Sequence, residues 1–238
     1  EELTLIEPAW DIAGTRHRHG RIQLRGKWQG TELELQRLAV ASEDWGAIEL
    51  NGQLEFDGQW PLAMAADLAS GESPQLPLLL QGRNLDLQAA GSLADLQLGL
   101  LMAGQPSLDL IGSLDALDPG LPFELNLLAD VAEPLPLDEV LEIPASLAGV
   151  ELDRALTLNA SGSLARQRFE LGAGASGLGY SSLALELVGS HGPGRVQLDA
   201  LELADEAGGN QLQAAGELDY GEITQWEIAL ETQGLDLP

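Results

Sequence analysis

The sequence predicts an all-β fold: an elongated, curved antiparallel sheet built from successive hairpins, with almost no helix. Three observations carry this. Apolar residues recur at every second position in segment after segment, the spacing that puts side chains on one face of a strand. Clusters of Gly, Pro, Asp and Asn separate those segments, as hairpin connections require. Amphipathic helices able to cover an apolar sheet face are missing. That face must then be closed by another sheet, by the same sheet curling, or by something other than this protein.

Taken in order, Ile22, Leu24, Gly26 and Trp28 open the series, and a second strand falls near 31–41. Ile48, Leu50, Gly52, Leu54 and Phe56 share one parity, with Glu49, Asn51, Gln53 and Glu55 on the other. A strand near 60–68 leads to Leu85, Leu87, Ala89, Gly91 and Leu93, then to another near 95–103. Leu108, Leu110, Gly112 and Leu114 precede a strand near 121–131. Residues 137–148 hold the one helical candidate, with Asp138 as its cap, but Pro144 interrupts it. Leu156, Leu158, Ala160, Gly162 and Leu164 resume the pattern, followed by strands near 181–189 and 194–204. Leu212, Ala214, Gly216, Leu218 and Tyr220, with a strand near 225–231, end it. The chain reads as one continuous segment, 1–238, with 133–149 the best candidate for a break. It begins and ends in mid-pattern, which suggests a piece of a larger protein.

Six glycines (Gly26, Gly52, Gly91, Gly112, Gly162, Gly216) occupy the apolar register. Glycine inside a strand marks a bend, a bulge or a close approach. Here it serves curvature, room for a flexible ligand, or both. A longer repeat aligns Gly52, Leu54, Phe56, Trp60, Leu62, Met64 and Leu68 with Gly216, Leu218, Tyr220, Trp226, Ile228, Leu230 and Leu235. The apolar surface is also unusual in kind: Leu occurs 50 times, Ile and Val together 14. Leucine changes rotamer more freely than β-branched residues and suits a contact that slides.

The net charge is −27, which argues against nucleic acid as a partner, because phosphates would be repelled. Six of the 11 Lys and Arg lie within residues 1–37. Zero Cys removes disulfides and Cys-ligated metal. No apolar run approaches the roughly 20 residues of a spanning helix.

Motifs with chemical meaning are weak. Gly172-x-Gly174-x-x-Gly177 matches a dinucleotide fingerprint but precedes an alternating run, Leu183 to Leu187, so it reads as a turn. His17 and His19 lack the spacing and company of a zinc site. The acidic pairs Glu43/Asp44, Asp138/Glu139 and Asp205/Glu206 read as solvated turns rather than catalytic pairs. The chain is expected to be no enzyme and to need no cofactor or metal.

The repeated Leu-x-Leu-x-Ala-x-Gly-x-Leu strands, the run Asn84-Leu85-Asp86-Leu87 before Gly91-Ser92-Leu93, and Trp226-x-Ile228-x-Leu230 with Gly234-Leu235-Asp236-Leu237-Pro238 resemble the TamB branch of the AsmA-like family of Gram-negative envelope proteins. That resemblance implies a U-shaped sheet with a hydrophobic trough, periplasmic and anchored in the inner membrane by an N-terminal helix outside this segment. It further implies phospholipid transport between the two membranes, an Omp85-type outer-membrane barrel as partner, and a part in outer-membrane and autotransporter assembly. The apolar-register residues named above would line the groove and meet acyl chains. A nine-residue strand spans about 30 Å, twice the roughly 15 Å of half a bilayer's hydrocarbon core. The alternative is a structural or adhesive module of a secreted protein, a closed sandwich or solenoid filled by its own side chains.

Overall fold

The computed structural model describes residues 2–6, 9–12, 15–18, 20–42, 46–72, 76–139, 149–206, 208–220 and 224–234. These residues are nearly all strand, and every ladder whose register is defined is antiparallel. The chain divides into two compact units, Glu1–Gly104 with Ser113–Leu117, and Gln105–Gly112 with Asp118–Pro238.

In the first unit lie β1 (Glu2–Ile6), β2 (Ala9–Ile12), β3 (Thr15–Arg18), β4 (Arg21–Gln29) and β5 (Glu32–Ser42). β6 (Gly46–Glu55), β7 (Leu62–Ser70), β8 (Asn84–Ser92) and β9 (Asp95–Met102) follow. β2 and β3 form a separate hairpin, and the others run in the order β1-β4-β5-β6-β7-β8-β9. β10 (Ser107–Leu114) is divided, its last two residues grouping with the first unit.

The rest of the second unit is β11 (Phe123–Asp130), the two-residue β12 (Leu135–Pro136), β13 (Glu151–Gly162) and β14 (Gln167–Gly177). β15 (Tyr180–Gly192), β16 (Arg195–Asp205), β17 (Gln211–Tyr220) and β18 (Thr224–Gln233) complete it. The order is β10-β11-β13-β14-β15-β16-β17-β18, with β12 beside β13. Most strands consecutive in sequence pair with one another through short connections, while β1 pairs with β4 past the β2–β3 hairpin and β11 with β13 past β12. Pro193-Gly194 joins β15 to β16, with Gly194 at φ 73, where a residue without Cβ adopts the left-handed turn at no steric cost.

Two expectations need correction. The glycine run Gly172–Gly177 is strand β14, not a turn; the turn is Leu178-Gly179. A Cβ at Gly174 would overlap the Arg154 side chain, and one at Gly172 would lie 3.0 Å from Thr157 Oγ1. These glycines therefore admit side chains from β13. Leu137–Glu139 is a single 3-10 turn, and the rest of the predicted helix, 140–148, lies outside the described residues.

Bulges interrupt the ladders at Arg25/Gly26, Leu35/Leu38, Val188/Gly189 and Leu198/Leu201. An extra residue on one strand bends it and sharpens local twist. It also rescues parity. In β5 the apolar positions switch from odd (Leu33, Leu35) to even (Leu38, Val40), and the bulge at Gln36–Arg37 keeps all four on one face.

Candidate functional site

Cross-strand pairing gathers the apolar register into rows. Directly opposed residues share a face with Cβ atoms about 5 Å apart. In the first unit, Leu24, Leu38, Leu50, Ala66, Leu87 and Leu100 form one row across six strands. Beside it run Ile22, Val40, Ile48, Leu68, Leu85 and Met102, then Gly26, Leu35, Gly52, Met64, Ala89 and Leu98. A fourth row is Trp28, Leu33, Leu54, Leu62, Gly91 and Leu96. No polar side chain enters any of the four. At the end of the fourth row, Phe56 stacks on Trp28 at 4.9 Å and meets Trp60 edge-on at 5.2 Å.

The second unit repeats the arrangement. Leu127, Leu158, Leu171, Leu187, Leu201, Ala214 and Leu230 form one row. Leu125, Ala160, Phe169, Gly189, Leu198, Gly216 and Ile228 form the next. A further row, Phe123, Gly162, Gln167, His191, Val196, Leu218 and Trp226, carries two polar residues near its middle. Leu156 sits opposite Ala129, and Leu212 opposite Leu203. Leu108, Leu110 and Gly112 belong to β10, Gly112 against Leu125, and Leu114 ends that strand.

Three named residues fall off the sheet. Phe56 lies just past the end of β6. Leu93 is in the β8–β9 turn, and Leu164 lies past β13, 63% exposed. The six glycines prove to be close approaches, not vacant room. A Cβ at Gly26 would lie 2.8 Å from the Glu34 carbonyl. At Gly52 it would collide with the Ala63 carbonyl, at Gly91 with that of Asp95, at Gly162 with that of Arg166, and at Gly216 with that of Glu227. At Gly112 it would lie 2.7 Å from the Glu124 carbonyl. The space of each missing side chain is taken by atoms of a neighbouring strand or turn.

The rows are not sealed. Most of their leucines are half-buried, and the buried apolar set includes only Ala66, Leu85, Met102, Leu183, Leu212, Ala214 and a few others among the described residues. The accessible surface is 15002 Å²; one globule of this mass would expose about 10,300 Å², and two half-sized globules about 12,400 Å². A hollow of about 480 Å³ lies on the opposite, polar face, lined chiefly by Arg21, Arg37, Ala39, Ala41, Ala47 and Glu49. Its floor is alanine, so the depression comes from short side chains.

Other sequence candidates resolve plainly. His17 lies in β3 opposite Trp10, while His19 and the Glu43/Asp44 pair are outside the described residues. Asp205 is buried, contrary to its reading as a solvated turn residue, and accepts from Asn210 Nδ2 at 3.2 Å. Glu206 binds Arg154 at 2.9 Å and Ser182 Oγ at 2.9 Å. The Arg154 hydrogen bond, then that from Ser182, holds the Glu206 carboxyl below its ordinary range.

What the fold and surface define is an open antiparallel sheet with rows of apolar side chains on one face of each unit. Compared with protein families, residues 8–238 match the TamB N-terminal domain, and the chain belongs to that family. The family is a component of the translocation and assembly module of the Gram-negative envelope and works with an outer-membrane partner. No curated protein and no solved structure matches the chain. Among the described residues, no helix is long and apolar enough to cross a membrane.

Proposed function

We propose that the apolar faces are stretches of a hydrophobic conduit carrying phospholipid acyl chains through the periplasm between inner and outer membranes. Its service is to outer-membrane and autotransporter assembly, with an Omp85-type barrel as the outer-membrane partner. Transfer is passive and involves no bond chemistry.

The observation that supports this reading is the set of four uninterrupted apolar rows across β4–β9, most of whose leucines are only half-buried. A row of six strands runs about 24 Å, more than the roughly 15 Å an acyl chain occupies in half a bilayer core. Each covered CH₂ contributes about 0.8 kcal/mol, and successive leucines offer similar energy at each step. A closed sandwich would bury these leucines under a second layer, and their exposure speaks against that alternative.

Photo-crosslinkers placed at Leu50, Leu87 and Leu158 in cells should capture phospholipid, whereas those at Glu49 and Asp86 should not. Equal labelling of both faces refutes the conduit.

A further inference from the structure

We propose that the Gln167–His191–Tyr220 group is a proton-sensitive rim of the second unit's apolar face, which an apolar chain covers only while the imidazole is neutral. This deepens the conduit reading and rests on it.

Both units finish their outermost apolar row with a pair of parallel rings. Trp28 on β4 stands opposite Leu33 on β5, and Phe56 stacks on it at 4.9 Å with the ring planes 8° apart. His191 on β15 stands opposite Val196 on β16, and Tyr220 at the end of β17 lies 6.0 Å away with the planes 5° apart. The backbone repeats as well. Phe56 N donates to the Thr31 carbonyl and Tyr220 N to the Gly194 carbonyl, each in the turn before the intervening strand. In the first unit the only polar atom of the pair, Trp28 Nε1, donates to the Gly30 carbonyl at 2.8 Å, and neither ring titrates. In the second the same position carries an imidazole, the side chain that gains charge in mild acid.

The hydrogen bonds around it accommodate either charge state. Gln167 Nε2 donates to the carbonyls of Ser163 (2.9 Å) and Leu164 (3.1 Å), so its Oε1 faces His191 Nδ1 at 2.6 Å and Nδ1 carries a hydrogen. The Tyr220 hydroxyl has one hydrogen and two acceptors in reach, His191 Nε2 at 2.5 Å and the Gly192 carbonyl at 3.2 Å. With neutral imidazole that hydrogen goes to Nε2. With imidazolium, Nε2 donates to the hydroxyl oxygen and the hydroxyl turns to Gly192. The proton is taken up without moving a heavy atom.

Its charge has no counterpart on that face. Among the described residues, β13 to β17 set Gly162, Gln167, Phe169, Gly189, Val196 and Tyr220 around His191, and of these Tyr220 alone titrates. Arg168, Arg195, Glu217 and Asp219 take the opposite face by register, where Arg195 pairs with both acids and Arg168 with Glu170. Arg166 and Arg195 also line, with His191, a hollow of about 340 Å³ at the strand ends; both stay cationic and neutralise nothing. A chain lying over the row from Gly162 to Trp226 takes His191 out of water. The neutral ring keeps its internal hydrogen bonds, whereas imidazolium loses hydration that no carboxylate replaces. Binding therefore holds while the ring is neutral and is lost as pH falls through its titration.

The test uses the 238-residue chain with a photo-crosslinking residue at Leu198 or at Leu35, its counterpart in the first unit, and dodecyl maltoside below its micelle threshold as a neutral probe. Capture at Leu198 should fall about tenfold between about pH 7.5 and about pH 5.5, the range over which imidazole gains its charge. Capture at Leu35 should hold. His191→Phe, which rebuilds the carbon pair of the first unit, should keep capture at Leu198 constant across that range. His191→Gln should do the same and serves if the phenylalanine variant fails to fold. Nitrogen-15 NMR of the histidines should show His191 taking up its proton in the same interval. Equal capture at Leu198 at both pH values, an equal fall at Leu35, or a fall that persists without His191 overturns the proton-sensitive rim and leaves the conduit standing. Absence of capture at both positions at either pH overturns the conduit itself.

Discussion

β5–β6–β7 and β16–β17–β18 are the same three strands built twice. Leu33, Leu54 and Leu62 form a row in the first; Val196, Leu218 and Trp226 form it in the second. The rows Leu35–Gly52–Met64 and Leu38–Leu50–Ala66 return as Leu198–Gly216–Ile228 and Leu201–Ala214–Leu230. Even the bulge recurs, at Leu35/Leu38 and at Leu198/Leu201. What differs is the outer neighbour. β7 pairs with β8, whereas β18 is the last strand of its ladder. Ala66 on β7 is 7% exposed and its counterpart Leu230 on β18 is 56% exposed; Trp226 is 72% exposed. The apolar positions of β7, flanked by β8, are thus more buried than their counterparts on β18.

The comparison can be tested at the bulge. Deleting Gln36 or Asp199 removes the extra residue and leaves plain alternation, so the leucines beyond it stay on the apolar face and only the local bend and twist are lost. Both deletions should be tolerated, costing about 1 kcal/mol or less by urea unfolding. A loss of several kcal/mol in either would mean that the bend, and not parity alone, holds the sheet.

The glycines should separate the two copies. Gly52→Val places a Cβ against the Ala63 carbonyl at φ 152, between two strands held on both sides, and should cost about 3 kcal/mol. Gly216→Val presses on β18, which can yield, and should cost about 1 kcal/mol in the same assay. Equal costs would show that the edge strand is as firmly held as the internal one.

A buried charge sharpens the contrast. Ala66→Asp should destabilise by about 3 kcal/mol, and Leu230→Asp by under about 0.5 kcal/mol. Measured instead by phospholipid crosslinking, Leu230→Asp should still reduce capture on the second unit.

The smallest effect is of pH. Because hydrogen bonds from Arg154 and Ser182 hold the folded Glu206 carboxyl below the ordinary glutamate range, its pairing with Arg154 stabilises the second unit above that range. This stability is lost as pH falls through the lower, folded value. Glu206→Gln should flatten the acid side of the unfolding profile slightly and leave the neutral side lower.

Strand parity was legible throughout because a half-buried strand writes its face directly into alternation, as at Ile48 to Leu54. Turn positions were legible where Pro and Gly coincide, as at Pro193-Gly194. The bulges were not, although their signature is present: Leu33-x-Leu35-x-x-Leu38-x-Val40 and Val196-x-Leu198-x-x-Leu201-x-Leu203 each skip one residue. The repeat itself is misaligned, because the spacing after Phe56 and after Tyr220 differs. By sequence Trp60 matches Trp226, but the pairing sets Leu62 in that place, with Trp60 before the strand at φ 58. The Gly172–Gly177 run read as a turn because local composition cannot reveal that Arg154, from another strand, fills the space above Gly174.

Sequential antiparallel pairing fixes how such a protein can change size. Gaining or losing one strand would reverse the direction of everything downstream, whereas a whole hairpin leaves every later strand pointing as before. Evolution can therefore lengthen or shorten the path only in increments of about 10 Å, two strand spacings at a time, and relatives should differ by even numbers of strands.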